Sequence, residues 1–123
     1  NVDAALAKAC ECTHASISEF TGAPVFMKEN ESGAHEWIFE FNKHPQNLEA
    51  FIDSFDQHLK SVNSDYEAKR YNNITLKRPV VHVAKPNLFY LWLESKGKLG
   101  GQNKVPRLSN DREYIDVLLD LNK

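Results

Sequence analysis

The segment Gly97-Lys98-Leu99-Gly100-Gly101-Gln102-Asn103-Lys104-Val105-Pro106-Arg107 gathers the residue types best suited to meet an anion. Gly100 and Gly101 let a backbone approach a ligand closely. Lys104 is a compact, movable point charge, and Arg107 is a rigid fork matching phosphate or carboxylate. Gln102 adds a neutral amide beside them. The chemistry such a loop offers is phosphate contact, although the same composition also fits a plain surface turn.

Other chemistry is sparse. The chain has no Gly-x-Ser-x-Gly elbow, no Gly-x-x-x-x-Gly-Lys-Ser/Thr loop, no Cys-x-x-Cys and no His pair at metal-binding helical spacing, so no metal site is expected. The five histidines are scattered. His35 falls on the apolar side of an expected hairpin and His82 in an expected strand, where each reads as a core or surface residue rather than a catalyst. Glu36 and Glu40 are spaced as an acid–base pair would be, but their alternation assigns them to an outward, solvated face. Cys10 and Cys12 stand two apart on an expected helix and point to different faces, which excludes a mutual disulfide and a shared metal. They read as small buried or half-buried thiols.

The loop must be carried by elements legible from periodicity. Val2, Leu6, Ala9, Thr13, Ile17 and Phe20 recur at helical spacing, predicting a helix over residues 2–19 that stops near Thr21-Gly22. A helix starting so close to residue 1 fits either a piece of a longer protein or a short natural terminus. Ala23 to Glu29 and His35 to Phe41 bracket Asn30-Glu31-Ser32-Gly33, which predicts a hairpin with one buried face. Leu48, Phe51, Ile52, Phe55, Leu59 and Val62 predict a second helix, with Pro45 at an early helical position, packed on the hairpin's aromatic face. Ile74 to Val83 reads as a β-branched strand, with Pro79 marking an edge or a bulge. Pro86 opens a helix from Asn87 to about Lys96 that Gly97 can cap. A short extended piece near Lys104–Arg107 follows, and Asn110 with Glu113 forms a capping-box start for a last helix carrying Ile115, Leu118 and Leu119. The expected fold class is α+β: a small mixed or antiparallel sheet, the hairpin plus one or two further strands, with about four packed helices in one domain spanning residues 1–123.

Composition agrees with a globular domain: 123 residues, 41% hydrophobic and 26% charged. The apolar runs are too short for a membrane span and nothing resembles a signal peptide, so the expected location is cytoplasmic. The net charge of −2 conceals an asymmetry. Residues 1–67 carry 4 Lys and Arg against 12 Asp and Glu, whereas residues 69–107 carry 9 against 1. The cationic block attracts phosphates in general, nucleic acid included, or is a solvated face.

The order of these motifs resembles a known family. The run His35-Glu36-Trp37-Ile38-Phe39-Glu40-Phe41, then Val62-Asn63-Ser64-Asp65-Tyr66 with Arg70, then Val80–Val83 with Phe89, and finally Gln102-Asn103-Lys104-Val105-Pro106-Arg107, is similar to the C-terminal domain of the auxin-responsive promoter (Gretchen Hagen) family. Members of that family are acyl acid amido synthetases within the adenylate-forming superfamily. The resemblance covers nearly the whole chain, and its most specific part is the Gln-x-Lys-x-Pro-Arg string.

The resemblance implies that an N-terminal domain binds ATP with Mg2+ and a carboxylic acid, forms an acyl-adenylate, and passes the acyl group to an amine or amino acid. The small C-terminal domain closes over that site, so its expected partners are the N-terminal domain of its own chain and the small-molecule acyl acid and amine. By the same resemblance Lys104 is the catalytic lysine that meets the phosphates. Gln102, Arg107, Gly100 and Gly101 are expected phosphate-loop residues, with Arg107 equally a structural clamp to a carboxylate. The domain alone is expected to be inactive. The loop between Phe89 and Lys104 looks shorter than in the plant enzymes, and Pro79 and His82 depart from the plant pattern. A microbial member is expected, and auxin and jasmonate are not carried over. Two other classes are an independent ligand- or protein-binding module and a ferredoxin-like RNA-binding domain, the latter drawing on the basic block but lacking an exposed aromatic sheet face.

Overall fold

The computed structural model describes residues 2–25, 33–73, 75–95, 107–109 and 111–123. Among them are the helices α1 (Val2–Thr13), α2 (Leu48–Val62), α3 (Ser64–Arg70), α4 (Leu88–Ser95) and α5 (Glu113–Leu121), and the strands β1 (Ser16–Val25), β2 (Ala34–Lys43) and β3 (Val80–Val83). The strands form one mixed sheet in the order β1-β2-β3, with β2 antiparallel to β1 and parallel to β3. The fold is α+β, as its sequence pattern predicts.

The first helix is shorter than its periodicity suggests. Thr13 turns its hydroxyl back onto the Ala9 carbonyl at 2.7 Å, and His14 adopts a left-handed φ of 56°, which ends the helix. Ser16 then begins β1. Ile17 and Phe20, which extended the helical spacing, instead reach the same core from a strand: Leu6 and Ala9 of α1 share one cluster with Phe20, and Ile17 packs against it. Burial selected the residue types, and tertiary pairing chose the backbone that presents them.

That cluster fills one side of the sheet. Trp37, Phe39 and Phe41 from β2 meet Phe51 and Phe55 of α2, with Phe39 and Phe55 edge-on at 5.7 Å between ring centres. Helix α2 has the predicted extent, but Pro45 lies outside it and Asn47 supplies the cap, accepting the Ala50 N–H at 3.1 Å. Asn63 closes α2 and caps α3, an unpredicted element, by accepting the Tyr66 N–H at 3.0 Å.

The hairpin's other side is not solvated. Ile38, fully buried, lies with Ala23, Ala84, Leu88, Phe89, Trp92, Ile115 and Leu118 in a second core beneath α4 and α5. The sheet is therefore the middle layer of three, and a single buried face is corrected to two. Strand β3 starts only at Val80, because Pro79 has no N–H to give the ladder, and Ile74, the expected start, lies outside the described residues. Ahead of it, Leu76 makes an isolated parallel bridge to Gly33. Strand β3 is an edge strand, in line with the expectation from Pro79.

Helix α5 begins with Glu113 as its first residue rather than its third. The Asp111 carboxylate takes the Glu113 N–H at 3.0 Å, so the capping-box register is not adopted. Asn110 and the proposed Gly97 cap lie outside the described residues.

Candidate functional site

Of the cationic loop, Gly100, Gly101, Gln102 and Lys104 lie outside the described residues, while Arg107 lies within them. Arg107 fastens the end of the loop to β1, an outer strand of the sheet. The Gly22 N–H donates to the Arg107 carbonyl at 3.1 Å and the Ser109 N–H donates to the Gly22 carbonyl at 2.9 Å. Both backbone groups of Gly22 are thus held by this one segment.

The Arg107 side chain reinforces that attachment. Its Nη1 donates to Glu19 Oε1, and its guanidinium carbon lies 4.5 Å from the centre of the Phe20 ring. The same Glu19 oxygen accepts the Phe20 N–H at 3.2 Å. The Arg107 side chain keeps 48% of its surface exposed, so the ion pair adds little stability by itself. Its value lies in direction, because a planar guanidinium gripped at one edge and stacked on a ring has little freedom to rotate. Beside it, a cavity of about 380 Å3 opens between α1 and the start of β1, lined by Asp3, Leu6, Cys10, Ile17, Phe20 and Arg107 among others. Burial pushes the Cys10 thiol up, so it stays protonated there at neutral pH.

A second attachment follows five residues on. Arg112 donates from Nη2 to Glu36 Oε1 at 2.6 Å, from Nη1 to the Pro24 carbonyl at 3.0 Å and from Nε to Asp116 at 3.1 Å. The other Glu36 oxygen lies 2.6 Å from His82 Nε2. Burial works to raise the Glu36 pKa, but the His82 and Arg112 hydrogen bonds outweigh it and hold the carboxyl below the usual range. Glu40 accepts the backbone N–H groups of Asn87 at 3.2 Å and Phe89 at 3.3 Å, at the start of α4. Neither carboxylate is merely solvated, which corrects the reading from alternation. Alternation finds the face, but not what covers it.

The described arginines of the cationic block are likewise paired within the fold. Arg70 pairs with Asp56, Arg78 with Asp53 and Glu49, and Arg107 with Glu19, so every arginine of residues 69–107 meets an acid of residues 1–67. The Asp56 group was missed from sequence. Asp56 is 3% exposed and accepts Arg70 Nε at 2.9 Å, Arg70 Nη2 at 2.6 Å and the Tyr66 hydroxyl at 2.5 Å. Arg70 also donates to the Leu76 carbonyl at 3.2 Å, joining α2 and α3 to the approach to β3. An acid beside Phe55 on the apolar stripe of α2 was the available signal. His35 stacks on Tyr66 at 6.3 Å, and burial together with Lys69 lowers its pKa.

Trp37, Phe39 and Phe41 are at most 8% exposed, so they offer no stacking platform for RNA bases. Among the described residues, no helix is long and apolar enough to cross a membrane. Nor, among them, does any group of His, Cys, Asp and Glu come together as a metal site, so the Mg2+ implied by the resemblance has no ligand set there and no step is assigned to it.

The GH3 family C-terminal domain model matches residues 1–113, which include the whole Gly97–Arg107 loop. Two solved structures share the fold: AtGH3.15 acyl acid amido synthetase in complex with 2,4-DB, with a TM-score of 0.73, and GH3.15 acyl acid amido synthetase, with 0.69. Identity is 18% in both, over 97% of this chain. The chain spans only 23% and 22% of theirs. No curated protein matches it.

Proposed function

This chain belongs to the GH3 family, matching its C-terminal domain, and from that premise we propose that it is the cap domain of an ATP-dependent acyl acid amido synthetase. The observation carrying this reading is the family match across residues 1–113, with the cationic loop inside it. The proposed partner is an N-terminal domain of the same protein, which binds ATP and a carboxylic acid. The acid's carboxylate attacks the α-phosphorus and pyrophosphate leaves. The amine then attacks the acyl carbon and AMP leaves. Cytoplasm is the proposed compartment, since ATP and free amines are supplied there.

Lys104 is the proposed catalytic residue. As pyrophosphate departs, charge grows on its oxygens, and a positioned ammonium stabilises that state more than it stabilises bound ATP. Carrying the lysine on a separate domain couples chemistry to closure. Gly100 and Gly101 give the loop its close approach, and Gln102 adds a neutral donor. Arg107, gripped through Nη1 by Glu19, has further N–H groups to offer a phosphate.

The test uses ATP–pyrophosphate exchange by the full-length protein with a panel of carboxylic acids that includes 2,4-DB. Lys104→Ala is expected to lower exchange by roughly two to three decades, the scale of losing one preorganised charge-stabilising donor. Amide formation from a supplied acyl-adenylate is expected to suffer far less. Equal loss in both half-reactions, or no loss in exchange, would overturn the role. The isolated domain is expected to fold but release no pyrophosphate, and sustained turnover by it would move the active site into this chain.

A further inference from the structure

We propose that the cavity between α1 and the start of β1 binds a small monocarboxylic acid with an apolar body, its carboxylate held by Arg107. The site goes beyond the adenylation reading and does not involve Lys104; it uses the Arg107 donors when no phosphate holds them. At about 380 Å3 the cavity has the volume of a small-molecule site. Leu6 of α1 with Ile17 and Phe20 of β1 gives it an apolar wall. Strand β1 pairs with β2 without a break from Glu19 to Val25, but its register slips on both sides of Ile17. Such irregularities bend a strand and re-aim its side chains, and here they fall where β1 faces the cavity.

Arg107 supplies the polar end. Its guanidinium carbon lies 4.5 Å from the centre of the Phe20 ring, which places the group against the apolar wall. Glu19 takes Nη1, while Nε and Nη2 donate to no partner among the described residues. Those two nitrogens form the side edge of the guanidinium, which can take both oxygens of one carboxylate in parallel. Glu19 and Phe20 hold the fork before a ligand arrives, so binding has less side-chain freedom to remove. The charged residues of the lining are Arg107 and Asp3. A doubly charged phosphate would meet one cation and a carboxylate of its own sign, whereas a single carboxylate is matched by Arg107 alone. The apolar body of the acid covers Leu6 and Ile17 and removes their surface from water.

Two thiols make the test local to the cavity. Cys10 lines it, and Cys12, exposed on the same helix, does not, so one reports on the site and the other is an internal control. The full-length protein is treated with N-ethylmaleimide, and modification of each thiol is followed by peptide mass spectrometry. Hexanoate, the probe, is expected to slow modification of Cys10 roughly 10-fold at about ten times its dissociation constant and to leave Cys12 unchanged. Hexanol, which lacks the carboxylate, acetate, which lacks the apolar body, and inorganic phosphate are each expected to protect far less. Arg107→Gln removes the fork, and Ala7→Trp fills the cavity from an exposed position on α1 without touching the core. Each should abolish the effect of hexanoate. Protection that persists in either variant would place the acid elsewhere and overturn the inference. Equal protection by hexanol or by phosphate, or no protection by hexanoate, would overturn it too. All of these leave the proposed function standing, because exchange by Lys104→Ala is read separately, and failure of that function leaves the protection of Cys10 intact.

Discussion

Gly22 lies under the indole of Trp37 so closely that a Cβ placed on it would sit 2.4 Å from Cε3 of the ring. The absence of a side chain there lets Trp37 of β2 lie over β1 while the β1 backbone holds the Arg107–Ser109 segment at its edge. Trp37 is packed between Phe20, Phe39 and Phe55, with ring centres 6.2, 5.9 and 5.3 Å away.

Gly22→Ala is therefore expected to destabilise the domain by about 1–3 kcal/mol, the usual cost of overpacking a close-packed core. Urea unfolding followed by tryptophan fluorescence measures it. A midpoint equal to wild type would show that the ring has room to yield.

Asp56 gives the fold an acid-sensitive point. Burial works to raise its pKa, but the hydrogen bonds from Arg70 and Tyr66 prevail and hold it below the ordinary carboxylate value. The stability from that depressed value is fully present above the unfolded pKa of about 3.9 and is lost as pH falls through the folded pKa. Asp56→Ala, which removes the carboxylate facing the buried Arg70 charge, is expected to cost about 3–5 kcal/mol near neutral pH. In urea titrations between about pH 2 and 7, the gap between wild type and variant should be constant above the unfolded pKa and narrow below it. A gap independent of pH would mean that the carboxylate's charge is not what stabilises this site.

Glu36 fixes α5 to the sheet by taking Arg112 on one oxygen and His82 on the other, with only 14% of its side chain exposed. Glu36→Ala is expected to cost about 1.5–3 kcal/mol, the scale of hydrogen bonds to a charged group. Hydrogen exchange should accelerate in α5 before α1 or α2, since those two pack on the opposite face. A loss below about 0.5 kcal/mol would return Glu36 to the solvated class of surface residues.

The local sequence by itself determined much of the frame. Leu48, Phe51, Ile52, Phe55 and Leu59 set α2 because their spacing matches one face of a helix and no other regular backbone. Trp37, Phe39 and Phe41 set one buried face of β2 because side chains alternate along a strand. The string from Gly97 to Arg107 reads as a cationic loop from its glycine, lysine, proline and arginine, and of it only Arg107 lies within the described residues. Tertiary structure alone decided the rest. Ile17 and Phe20 continued the helical spacing of α1 in the sequence, and only pairing with β2 made them strand. Glu36 and Glu40 looked solvated until α4 and α5 covered their face. Glu19 meets Arg107, Asp56 meets Arg70 and Gly22 meets Trp37 across 88, 14 and 15 positions of chain. Periodicity registers the few residues within a helical turn or a strand repeat, whereas these contacts form only when separate elements pack and bury both partners.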